Sequence, residues 1–142
     1  MTDAEIADAW AIMTSNEEDE SKYNYMVLSF EDKKKLRLHA AGDGGLAELL
    51  SVLSPDEVMF GVLKINAVDV KKNVSSKRVR FCFFTWIGES VGVLKKARVS
   101  IQSTEVKAYF SYSIDVDVYE ESDFSAYILA KKLLACGGAH KP

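Results

Sequence analysis

SSKRVRFCFFTWIGESV, residues 75–91, is the stretch on which the fold depends. A cluster of cations, Lys77, Arg78 and Arg80, runs directly into the most apolar segment of the chain, residues 79–87. That segment is rich in β-branched and aromatic residues, which favour a strand. Its near-continuous hydrophobicity further predicts a strand covered on both faces. Residues 59–68 have the same character, so the two segments are expected to form the centre of a sheet. Side chains alternate along a strand, so Arg78 and Arg80 are expected to project from one side at its mouth while Val79, Phe81 and Phe83 enter the core on the other.

Upstream, Thr2 followed by Glu5 fits a capping box, and Ile6, Ala9, Trp10 and Met13 recur at helical spacing, predicting a helix over residues 2–15. Residues 23–30 and 35–41 read as a strand pair closed by a hairpin at 31–34. Gly42, Gly44 and Gly45 then turn into a short helix carrying Leu46, Leu49, Leu50 and Leu53, ended by Pro55. Downstream, residues 99–111 read as a helix with Val106, Tyr109 and Phe110 on one side, and residues 113–119 as a strand. Asp123 is positioned to cap a last helix bearing Phe124, Tyr127, Ile128, Leu133 and Leu134, with Gly137 and Gly138 as its stop. The order is helix, two strands, helix, two strands, helix, strand, helix. Layer logic makes this an α/β (α+β) fold, a mixed sheet with helices on both faces.

The 142 residues suit one domain, residues 1–142, and 48% hydrophobic with 27% charged residues is ordinary for a soluble globule. A net charge of −3 and a pI near 5.4 argue against a nucleic-acid binder, which needs a basic face. Any basic function must be local, which screening beyond about 8 Å allows. Cys82 and Cys136 are too few for a disulfide scaffold or a four-ligand zinc site and read as buried free thiols. The acidic, amphipathic start does not resemble a secretory signal. No uncharged stretch approaches the roughly 18 residues of a membrane helix. The reducing cytosol is the expected compartment.

Signals for catalysis are weak. Asp115 and Asp117 alternate with Ile114, Val116 and Val118, so both carboxylates share one face of a strand. With no histidine or third acid beside them, they read as edge-strand charges that discourage pairing with other chains. The run Glu17–Glu20 lacks calcium-loop spacing and reads as solvated. His39, at a strand end, and His140, in the tail, have no partners suited to metal or proton chemistry. Trp86 lies inside the apolar strand and reads as core. Gly88 and Gly92 read as turn residues. No nucleophile, base and orienting group assemble, so neither an enzyme nor a cofactor is expected.

Lys77, Arg78, Val79, Arg80, Phe81, followed by Thr85, Trp86, Ile87, Gly88, Glu89, resembles the coactosin signature, a Lys-Arg-x-Lys-Phe motif before a Thr-Trp-Ile-Gly-Glu turn. Ala135, Cys136, Gly137, Gly138, Ala139 resembles that family's closing Ala-x-Gly-Gly-Ala, and the element order also matches. The resemblance therefore covers nearly the whole chain. It implies the ADF/cofilin homology (ADF-H) fold, with a central mixed five- to six-stranded sheet sandwiched between helices. It also implies a monomeric, non-catalytic protein of the cytoplasm and actin cytoskeleton. Such a protein binds the sides of actin filaments and regulates their dynamics or capping without severing.

By the same resemblance the basic site carries over as Lys77, Arg78 and Arg80. Arg80 stands where the family has the lysine most closely tied to filament binding, keeping the charge but changing donor geometry. The family's long helix and the loop before it would add Lys95, Lys96, Arg98 and Lys107. The family's lysine pair before the final Gly-Gly is replaced here by Leu134 and Ala135, with Lys131 and Lys132 earlier, which leaves a tail contact open. Two alternatives share the fold: a regulator that binds actin monomers, and an adaptor for another cytosolic protein.

Overall fold

The computed structural model describes residues 2–15, 23–31, 35–71 and 74–140, with side chains described outside residues 2–3, 15, 66–71, 74–78 and 134–140. The elements are α1 (Thr2–Ser15), β1 (Tyr25–Phe30), β2 (Leu36–Gly42), α2 (Gly45–Ser51), β3 (Val58–Lys71), β4 (Val74–Ile87), α3 (Val93–Lys107), β5 (Ile114–Val118) and α4 (Ala126–His140). A single 3₁₀ turn, Glu121–Asp123, precedes α4. The order is the one read from the sequence. The run Glu17–Glu20, residues 32–34 of the β1–β2 hairpin and the Thr2 side chain of the capping box lie outside the described residues.

The sheet has five strands in the order β2-β1-β3-β4-β5. All pairs are antiparallel except β4–β5, for which α3 supplies the crossover that parallel neighbours require. Alternation along the central strands sends side chains to two separate cores, which explains the unbroken apolar run. On one face Met26, Leu28, Phe60, Val62 and Phe83 meet Ile6, Ala9 and Met13 of α1, Val106 of α3 and Phe110. On the other, Val27, Met59, Leu63, Cys82, Phe84 and Trp86 meet Leu49 of α2, Leu129 of α4, Phe124 and the three apolar residues of β5. β5 is an edge strand with Ile114, Val116 and Val118 buried and Asp115 and Asp117 exposed, as its alternation predicts.

Several boundaries differ from the sequence reading. His39 lies within β2 and not at its end. α3 starts at Val93, not residue 99, and ends at Lys107, so that Tyr109 and Phe110 follow the helix in a tight turn. Asp123 does not cap α4. Its carboxylate accepts from the Tyr119 and Glu120 N–H groups at 3.0 and 3.2 Å and closes the 3₁₀ turn, while Ser125 Oγ accepts from the Ile128 N–H at 3.2 Å. α4 runs through Gly137 and Gly138 to His140, because glycine without a left-handed backbone only weakens a helix. The glycine that does turn the chain is Gly45, at φ 71°, whose N–H donates to the Asn24 side-chain oxygen. Cys82 is buried and free, and burial, reinforced by Asp115 and opposed by Lys132, pushes its thiol up to about 12. The side chain of Cys136 lies outside the described residues.

Candidate functional site

β3 and β4 pair along all fourteen residues of each, from Val58↔Ile87 to Lys71↔Val74. Their neighbours in the sheet are much shorter. β1 pairs with β3 only from Phe60 to Leu63, and β5 pairs with β4 only from Cys82 to Trp86. The seven rows from Ile65↔Arg80 to Lys71↔Val74 therefore form a two-stranded arm that extends beyond the sheet. At about 3.3 Å per residue the arm is about 20 Å long.

Lys77, Arg78 and Arg80 lie on this arm, opposite Val68, Ala67 and Ile65. The strand begins at Val74, five residues before the start at residue 79 that the sequence suggested, so that Lys77 and Arg78 as well as Arg80 are strand residues. Ser75, Ser76 and Lys77 carry no apolar period to signal a strand. Arg80 is half-buried on the α2/α4 side and has no ion pair among the described residues. Phe81 points the other way and packs edge-on against Trp10, centroids 4.9 Å apart, with Phe83 fully buried beyond it. The side chains of Lys77 and Arg78 lie outside the described residues.

The Thr85–Glu89 turn performs a different task. Trp86 is 5% exposed, and its Nε1–H donates to the Ser54 carbonyl at 2.6 Å. The N–H groups of Gly88 and Ser90 donate to the carbonyls of Glu57 and Pro55 at 3.1 and 2.8 Å. A Cβ on Gly88 would collide with the Pro55 backbone, so only glycine fits where the two loops meet. This clasp fixes the point from which α3 departs. Gly92, in extended conformation, is the helix N-cap.

α3 carries the second group of cations. Lys95 and Lys96 are exposed and Arg98 is half-buried. Lys95 and Arg98 line a cleft of about 250 Å³ with Phe30, Glu57 and Val58. Val58 is at the base of the β3–β4 ladder, whereas Arg80 lies opposite Ile65, seven residues further along. The structure thus does not gather the cations at one place. Seven rows, roughly 23 Å along the strands, separate Val58, which shares the cleft with Lys95 and Arg98, from Ile65, which lies opposite Arg80.

Sequence reasoning missed a feature of α3. Leu94 and Ile101 are 75% and 69% exposed, and with Ala97 between them they form an apolar stripe at helical spacing facing solvent. The signal is the seven-residue interval from Leu94 to Ile101, which a helix beginning at residue 99 cuts in two. The opposite stripe, through Val99 and Val106, packs on the sheet.

Lys107 differs from the other cations. Its Nζ is 2.6 Å from Asp115 Oδ2 and lies over the Phe83 ring, 5.5 Å from the centroid. The hydrogen bond that Lys107 donates to the Asp115 carboxylate raises the Lys107 pKa, outweighing the lowering by burial. Lys107→Met is expected to cost about 1 kcal/mol of stability or less, because the pair is about one-third exposed and screened. It is expected to leave partner binding within about twofold, and equilibrium unfolding beside a binding assay would read both. A large loss of binding with stability intact would return Lys107 to the contact surface.

The model of the cofilin/tropomyosin-type actin-binding protein family matches residues 1–134. The chain belongs to this family. Within it, the chain is 32% identical over 123 residues to coactosin of Dictyostelium discoideum, covering 85% of this chain and 82% of that protein. The crystal structure of coactosin from Entamoeba histolytica superposes with a TM-score of 0.79 at 25% identity, over 93% of each chain. Human coactosin-like protein gives a TM-score of 0.78 at 16% identity, over 92% of this chain and 93% of its own, a likeness of fold. The mixed five-stranded sheet with helices on both faces is thus the ADF-H fold of its relatives, and among the described residues no helix is long and apolar enough to cross a membrane.

Proposed function

We propose that this protein binds the sides of actin filaments as a cytoplasmic monomer, without severing them and without catalysis or a cofactor. Its family is named for actin binding, and the observation that carries the filament reading is the separation of the two cation groups. Lys77, Arg78 and Arg80 on the arm, and Lys95, Lys96 and Arg98 on α3, suit a partner presenting acidic groups at two well-separated places, as neighbouring subunits of a polymer do. The exposed Leu94 and Ile101 supply apolar area beside the second group. Lys107 is assigned a supporting role, holding the end of α3 to β5.

The test is co-sedimentation with filaments across a salt series. Binding is expected at low ionic strength, weakening several-fold between about 50 and 200 mM salt because exposed charges are screened. Polymerisation kinetics with excess protein are expected to show no sequestration of monomers. Protein remaining in the supernatant at low salt, while a known filament binder pellets, would refute the reading.

A further inference from the structure

We propose that Ser100 on α3 is a phosphorylation site for a basophilic serine/threonine kinase, and that its modification switches the α3 surface off. The proposal rests on the actin-filament reading for its consequence, but the site is argued from the helix itself.

Lys95, Lys96 and Arg98 stand five, four and two residues before Ser100, in the order Lys-Lys-Ala-Arg-Val-Ser. Kinases that discriminate substrates by charge read cations at such spacings on the N-terminal side of the acceptor. Ser100 is exposed, on the outer side of α3 beside Ala97 and Thr104.

A kinase must take its substrate in extended form, so the helix must open locally. The first half of α3 is constructed to allow this. Gly92 caps it with no side-chain hydrogen bond, and the first turn contains no acidic residue. Lys95 and Lys96 instead bring positive charge to the positive end of the helix dipole, an unfavourable placement. Val93, Val99, Ser100 and Ile101 are modest helix formers. Every residue from Val93 to Ala97 is exposed, and the only fully buried residue of α3 is Val106, beyond Ser100. Unwinding from the N-terminus past Ser100 therefore uncovers no fully buried side chain of the helix, the condition for low-energy local opening.

The chemistry needs ATP and the kinase as co-reactants. Ser100 Oγ attacks the γ-phosphorus, a new O–P bond forms as the bond to the β-phosphate oxygen breaks, ADP leaves, and the hydroxyl proton passes to the kinase's base. The product carries between −1.5 and −2 charges at neutral pH. On a reclosed helix this phosphate sits one turn from Lys96, neutralising it and opposing any acidic partner.

The experiment incubates the purified full chain with the catalytic subunit of cAMP-dependent protein kinase and ATP, maps the phosphate by mass spectrometry, and compares filament co-sedimentation of the two forms. Phosphate is expected on Ser100 and is lost in Ser100→Ala, and the modified protein is expected to bind filaments at least about tenfold more weakly. Gly92→Asp, where a new Cβ meets nothing, adds the missing cap and a favourable charge and is expected to slow incorporation about threefold or more. Absence of phosphate from Ser100 overturns the site. Phosphate on Ser100 with unchanged filament binding overturns the switch. If neither form pellets, the filament reading has failed and the switch with it, and the mass spectrum still reports separately whether Ser100 is a substrate.

Discussion

Lys77→Glu combined with Arg80→Glu is expected to abolish co-sedimentation with actin filaments while thermal unfolding stays within a few degrees of the parent protein. Removing one partner of a charge pair buried in an interface costs about 2–5 kcal/mol, much of it the penalty of stranding the other charge. At about 1.4 kcal/mol per factor of ten, one such loss already weakens binding roughly 30-fold or more. Reversing two charges adds repulsion. The fold should tolerate the change because both residues lie on the arm, in rows that neither β1 nor β5 reaches, and Arg80 has no ion pair among the described residues. Retained binding would remove the arm from the interface and leave α3 as its sole cationic element.

Gly88→Ala is expected to lower stability by about 3 kcal/mol, the upper end for forcing extra volume into a packed site, because the new methyl meets the backbone of Pro55 and not a movable side chain. For a domain of this size that corresponds to a fall in melting temperature of roughly 10 °C. A shift below about 2 °C would show that the two loops can part without cost. The Gly88 and Ser90 hydrogen bonds hold the segment leading to α3, so the variant should also lose amide protection at the start of that helix.

The order of elements could be read from the sequence because each carried its own period. The alternation in residues 114–118 even gave the buried and exposed faces of the edge strand. Legibility failed where polarity and structure part company. The arm residues Ser75 to Arg78 look like a loop, yet they pair with β3 through backbone hydrogen bonds that depend on no side-chain pattern. The first turn of α3 looks like a loop for a similar reason, since Gly92, Lys95 and Lys96 are all poor helix-start signals. Asp123 has the side chain of a cap for α4, but it closes the preceding turn and Ser125 takes the role two residues on.

The two cation groups, Lys77 to Arg80 and Lys95 to Arg98, stand together in the sequence, but the distance between them does not show there, because it is set by the long-range register of β3 and β4. The Lys107–Asp115 pair joins α3 to β5 across a turn and could not be inferred from local spacing. What the coactosin-like signature contributed is divided by the structure into two tasks: its basic half lies on the arm, and its Thr-Trp-Ile-Gly-Glu half is the clasp beneath α3.

The β3–β4 ladder also bears on the order in which the molecule takes shape. Its outermost rung, Lys71↔Val74, closes the shortest possible loop, and every further rung toward Val58↔Ile87 encloses only a little more chain, so pairing can zip inward at small entropic cost. The β4–β5 rungs must await the compaction of all of α3, a far larger closure. The hairpin is therefore expected to protect its amides first in a refolding experiment and the β5 seam last, so that the portion most distant from both cores begins the assembly of the whole.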